Sequence, residues 1–136
     1  MDVNRKGVSG LIKVIDDLQT KGYYVFPAFD DHSPVDLIAM SLEGNCYRIQ
    51  IKYREREQHK KAERYEVRTS SVVNGKRVEN DRNLIDGWAV YLADAKKIVY
   101  IHKSVLDGKK GITIDPSIDY GELTEWQCAG LLNQDH

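Results

Sequence analysis

The chain has 136 residues, of which 30% are charged and 41% hydrophobic, with a formal net charge of −1. That balance suits one globular domain with its own core and excludes a disordered or disulfide-stapled chain. No apolar run of about 18 residues exists to cross a membrane. Cys46 and Cys128 lie far apart without metal-ligand spacing. With no signal-peptide pattern at the start, a reduced, cytoplasmic protein is expected.

Leu11, Val14, Ile15 and Leu18 recur at helical spacing, so a first helix is expected from Ser9 as N-cap to Lys21, closed by Gly22. A strand over Tyr23 to Phe29 follows and ends in the polar cluster Asp30 to Pro34. Val35 to Leu42 is an apolar run with one charge, Asp36. Glu43-Gly44-Asn45 reads as a turn into a strand over Cys46 to Arg54. That strand alternates strictly, with Tyr47, Ile49, Ile51 and Tyr53 on one face and Arg48, Gln50, Lys52 and Arg54 on the other. A three-residue loop would pair Leu42 with Cys46 and Asp36 with Lys52, placing Asp36, Gln50 and Lys52 on one face. Farther on, Tyr65 to Val73 and Lys76 to Val78 form a hairpin around Asn74-Gly75. Strands are also expected over Trp88 to Ala93, Ile98 to Ile101 and Ile112 to Ile114, and a closing helix over Leu123 to Leu132. The whole is a mixed α/β domain spanning residues 1–136.

The charge is unevenly spread. Residues 1–47 carry four Lys/Arg against seven Asp/Glu, residues 48–68 eight against four, and residues 69–136 eight against ten. The middle segment is basic, as a phosphate-facing surface would be, although a solvated loop has the same composition.

A carboxylate at the head of one strand, facing an acceptor-x-lysine on its hairpin partner, is a layout for divalent-metal hydrolysis. Mg²⁺ takes oxygen ligands and keeps several waters. Asp36 offers a carboxylate oxygen, Gln50 an amide oxygen and Ile51 its main-chain carbonyl. Lys52 beside them can orient or deprotonate water and neutralise phosphate charge. Gln50-x-Lys52 taken alone is the ordinary solvent face of an antiparallel sheet. A lone acid heading an apolar strand is harder to explain that way, because an unpaired buried carboxylate is costly.

Pro34-Val35-Asp36 followed by Gln50-Ile51-Lys52 resembles the signature of the PD-(D/E)XK nuclease superfamily. Lys6-Gly7, Lys21-Gly22-Tyr23-Tyr24-Val25, Pro27, Ile85-Asp86-Gly87-Trp88-Ala89-Val90-Tyr91 and Val99-Tyr100-Ile101 extend the likeness over residues 6–106. It is most similar in style to small intron-type homing endonucleases. The resemblance implies a restriction-endonuclease-like mixed β-sheet flanked by helices. It also implies a Mg²⁺-dependent, site-specific endonuclease acting on duplex DNA, with Mn²⁺ as a substitute ion. Asp36, Gln50 and Lys52 then take the catalytic positions. A homo-oligomer, dimer or tetramer, is expected, because so small a domain would read a pseudo-palindrome through its own copies. Arg54, Arg56, Lys60, Lys61, Arg64 and Arg68 would contact DNA phosphates, and Arg68 with Thr69 base edges.

Three departures accompany the likeness. Val35 splits the Pro-Asp pair, Gln50 replaces a carboxylate, and Leu11 stands where many members carry a helix glutamate. Asp16 or Asp17 could compensate for the last. Two other readings compete: a nuclease-fold protein that binds DNA with weak or no cleavage, and a Holliday-junction resolvase. The four histidines are expected at the surface; Tyr23, Tyr24, Trp88 and Tyr91 are expected in the core.

Overall fold

The computed structural model describes residues 2–73, 76–79 and 82–126, with side chains described outside 70–81. Helix α1 (Val3–Thr20) is followed by β1 (Tyr24–Pro27), β2 (Leu37–Met40), β3 (Cys46–Arg54), β4 (Tyr65–Arg68), β5 (Ser70–Val73) and β6 (Lys76–Glu79). A 3-10 turn at Arg82–Leu84 leads to β7 (Gly87–Leu92) and β8 (Lys97–His102). A second at Lys103–Leu106 leads to β9 (Gly111–Ile114), and residues 123–126 are helical. No helix among the described residues is long and apolar enough to cross a membrane.

The main sheet has the order β1-β2-β3-β7-β8, with β3 and β7 parallel and the other neighbours antiparallel. On one face α1 packs Val14 and Leu18 against Leu37, Ala39, Tyr47, Ile49, Ala89 and Tyr100. On the other, Trp88, Val90, Leu92, Val99 and Ile101 meet Tyr65 and Val67 of β4 and Ile114 of β9. Both faces of β7 are thus covered, which is why Gly-Trp-Ala-Val-Tyr-Leu is an unbroken buried run.

Several expected boundaries move. The helix starts at Val3 because the Asp2 carboxylate accepts the Arg5 N–H at 2.9 Å, leaving Ser9 inside it. Gly22 does close it, with φ at 96° and its N–H on the Gln19 carbonyl. Tyr65 to Val73 divides into two strands at Thr69, which is buried with its hydroxyl donating to the Lys110 carbonyl. The Asn74-Gly75 turn and most of the closing helix lie outside the described residues.

The β2–β3 register also differs. Met40 pairs with Cys46 and Leu37 with Ile49, so the connection is Ser41 to Asn45 and not three residues. Ser41 builds that longer turn: its N–H donates to the Asn45 carbonyl, its Oγ accepts the Asn45 N–H, and its carbonyl accepts the Gly44 N–H. The continued register places Asp36 opposite Gln50, two residues from the expected Lys52. A two-residue slip preserves the period-two parity.

Candidate active site

Asp36 lies just beyond the last β1–β2 pair, Pro27 with Leu37, and is clamped from three sides. Its N–H donates to the Ile49 carbonyl at 2.9 Å, and its carbonyl accepts the Ala28 N–H at 2.9 Å. Its carboxylate Oδ2 accepts the Ile51 N–H at 2.7 Å. Ahead of it, the Ser33 hydroxyl bridges both backbone groups of Val35 and fixes the turn that carries Pro34. Burial pushes the Asp36 carboxyl above its ordinary range, against the opposing pull of the Ile51 N–H and the Lys52 charge.

Gln50, on the neighbouring strand, is held at both ends of its amide. Oε1 accepts the Trp88 indole N–H at 3.0 Å, and Nε2 donates to the Pro34 carbonyl at 3.1 Å. An indole only donates and a carbonyl only accepts, so these two partners fix which end is oxygen. Lys52, two residues on, is partly buried. Burial first and the Arg54 charge second push its ammonium down to about 8, while Asp36 pulls it back up.

The Asp36 carboxylate opens onto a cleft of about 500 Å³ between α1 and the strand ends. Asn4, Gly7 and Leu11 of the helix, Asp30 and Asp31 after β1, and Ile51 and Tyr53 of β3 line it. Leu11 thus lines this cleft and no acid of α1 does, while Gln50 and Lys52 are not among its lining residues. Asp17 is engaged elsewhere, accepting the Tyr100 hydroxyl at 2.6 Å and pairing with Lys21 at 3.1 Å, and Asp16 is exposed. Among the described residues no cluster of three His, Cys, Asp or Glu side chains suits a metal. The oxygens of Asp36, Gln50 and Ile51 suit a hard, well-hydrated cation in type, with a single negative charge among them.

Two comparisons bear on the family and the fold. The family model of PD-(D/E)XK endonucleases matches residues 1–115. The bacterial homing endonuclease I-Ssp6803I has a similar structure, with a TM-score of 0.71 at 16% sequence identity, over 98% of this chain and 95% of that one. No curated protein matches the sequence. The chain belongs to the PD-(D/E)XK endonuclease family. It is a nuclease, and nucleases of this family generally use divalent metal ions.

Most of the nuclease's basic residues after Lys52 are already engaged. Arg54 donates to the Glu66 and Tyr53 carbonyls, and Arg56 to those of Lys60 and Lys61. Arg64 pairs with Asp115 at 3.3 Å and Arg68 with Glu66 at 2.6 Å. Lys60 and Lys61 are exposed and form no ion pair among the described residues. Thr69 is buried and tied to Lys110 and Arg82, so it does not reach a base edge.

Trp88, Tyr91 and Tyr23 join the packed interior as expected, whereas Tyr24 is 54% exposed. His32 and His59 are exposed and His102 is half-buried against Trp126; His136 and Cys128 lie outside the described residues. Asp30, Asp31 and Asn4 at the cleft, and the Trp88 indole N–H on Gln50, carry no clear signal in the sequence. The first two stood in what read as a polar loop, Asn4 lay ahead of the expected helix, and Trp88 looked like core alone.

Proposed function

We propose that this nuclease hydrolyses phosphodiester bonds of duplex DNA with Mg²⁺, at a site formed by Asp36, Gln50 and Lys52 within one domain. The observation that carries the reading is Asp36, clamped by the Ile51 N–H at the cleft just ahead of β2, with a partly buried Lys52 on the neighbouring β3 whose ammonium is pushed down to about 8. Asp36, Gln50 and the Ile51 carbonyl would hold the ion; when bound, Mg²⁺ supplies Lewis-acid polarisation of the phosphate and makes a coordinated water more acidic. Lys52, with its ammonium down to about 8, takes a proton from the attacking water or, while charged, offsets the charge gathering on the phosphate. Asp36 keeps Oδ1 free of hydrogen bonds among the described residues, while Oδ2 stays on the Ile51 N–H.

Site-specific cutting by a homo-oligomer, in the manner of a homing or restriction enzyme, belongs to the same proposal. Its support is the chain's small size and its likeness to a homing endonuclease. A second reading, DNA binding with weak or no cleavage, draws on Leu11 facing the cleft and on the single carboxylate. Duplex and four-way-junction substrates incubated with Mg²⁺ or Mn²⁺ separate these readings. Cleavage by wild type, lost in Asp36→Ala and Lys52→Ala, is expected. Binding without any cutting would favour the second reading, and equal cutting by all three proteins would refute the site.

A further inference from the structure

We propose that Trp88 is a positioning residue of this site, its indole N–H fixing the amide of Gln50, and that the Pro34 carbonyl makes glutamine, not glutamate, the side chain required at position 50. The inference deepens the proposed function and rests on Gln50 serving the metal site.

Gln50 and Trp88 are direct register partners on the parallel strands β3 and β7. The Trp88 ring is fully buried, so its N–H needs an acceptor, and Gln50 Oε1 is that acceptor at 3.0 Å. An amide oxygen has two lone pairs, so one remains for a cation while the indole holds the other. At the opposite end, Nε2 donates to the Pro34 carbonyl at 3.1 Å, two residues before Asp36. Gln50 therefore ties the segment carrying the carboxylate to the sheet centre, and it does so only in one amide orientation. Without the indole donor, the amide can turn its NH₂ toward the cation. A glutamate at 50 would still accept from Trp88 but would set a carboxylate oxygen against the Pro34 carbonyl, with no donor between them. The extra negative charge would then come with a broken brace.

A buried indole would be hydrogen-bonded in any stable fold, so the test must read the metal as well as stability. Trp88→Phe removes the donor, and Gln50→Glu approaches the same brace from the other side should the first variant fail to fold. Titration calorimetry with Mg²⁺ alone is expected to show about tenfold weaker binding by Trp88→Phe, as for other groups that orient metal ligands. In cleavage, its Mg²⁺ half-saturation rises by a similar factor while kcat at saturating Mg²⁺ holds. Gln50→Glu is expected to bind Mg²⁺ no more tightly than wild type. Wild-type Mg²⁺ affinity in Trp88→Phe would overturn the role of Trp88, and tighter Mg²⁺ binding by Gln50→Glu would overturn the requirement for glutamine at position 50. A wild-type protein that neither binds Mg²⁺ nor cuts DNA would instead overturn the functional reading beneath it.

Discussion

In the proposed site, Lys52 would set stability against chemistry at a single residue. Burial and the Arg54 guanidinium bring its ammonium down to about 8, below the value of a free lysine. A cation whose folded-state pKa is depressed destabilises the protein at neutral pH, and stability returns only as pH climbs from about 8 toward the free-lysine value of roughly 10.4. Lys52→Met is accordingly expected to stabilise the fold at pH 7, by about 1–3 kcal/mol in urea unfolding, while abolishing cleavage. Unchanged or reduced stability would show that the ammonium is better solvated than its burial suggests. The same depression governs rate. With Lys52 accepting a proton, kcat rises with pH through about 8, where its neutral form takes over. Arg54→Gln removes the second of the two causes of the depression, so the rise should move to higher pH. A profile that stays in place would mean that Lys52 is not the titrating group.

At the scale of elements, the sequence was most legible where one strand speaks for itself. The alternation in β3 assigned Gln50 and Lys52 to one face, and the structure keeps that strand at Cys46–Arg54. The register against β2 was not legible, because a shift by two residues preserves every side chain's face; Ser41 decides it through backbone bonds that no hydrophobic pattern records. Pairing of β3 with β7 was hidden for another reason. The two strands are distant in sequence and parallel, and both faces of β7 are buried, so Trp88 looked like plain core and its indole N–H carried no signal. The start of β7 offers a sharp test of this packing. A Cβ at Gly87 would run into the Ile101 carbonyl and the Trp126 ring, and the carbonyl belongs to the paired strand β8 and has little freedom to yield. Gly87→Ala should cost about 2–3 kcal/mol in urea unfolding and perturb Trp126 fluorescence. A neutral result would mean that the edge strand β8 shifts freely.

For the whole molecule the question is how a nuclease with a net charge of −1 holds an anionic polymer. Composition located a basic segment over residues 48–68 but counted every cation alike. The fold ranks them. Arg54 and Arg56 have their guanidinium donors on main-chain carbonyls, and Arg64 and Arg68 face acids. Their charges still add to the local field, yet these existing bonds restrain the guanidinium groups, which can offer a phosphate only their remaining N–H donors unless a bond breaks. Lys60 and Lys61, exposed beyond the end of β3, give up nothing of that kind. Each phosphate neutralised on duplex DNA contributes about 0.9 to the slope of log K against log salt concentration. In Mg²⁺-free buffer, where cutting does not intervene, the double variant Lys60→Ala/Lys61→Ala should lower that slope by about 1.8. Arg64→Ala and Arg68→Ala should change it less, since each loses an internal partner along with the charge. If the ranking reverses, with the arginines dominating the slope, their ion pairs must open on DNA. The basic segment would then act as a rearranging surface, and the two lysines would only flank it.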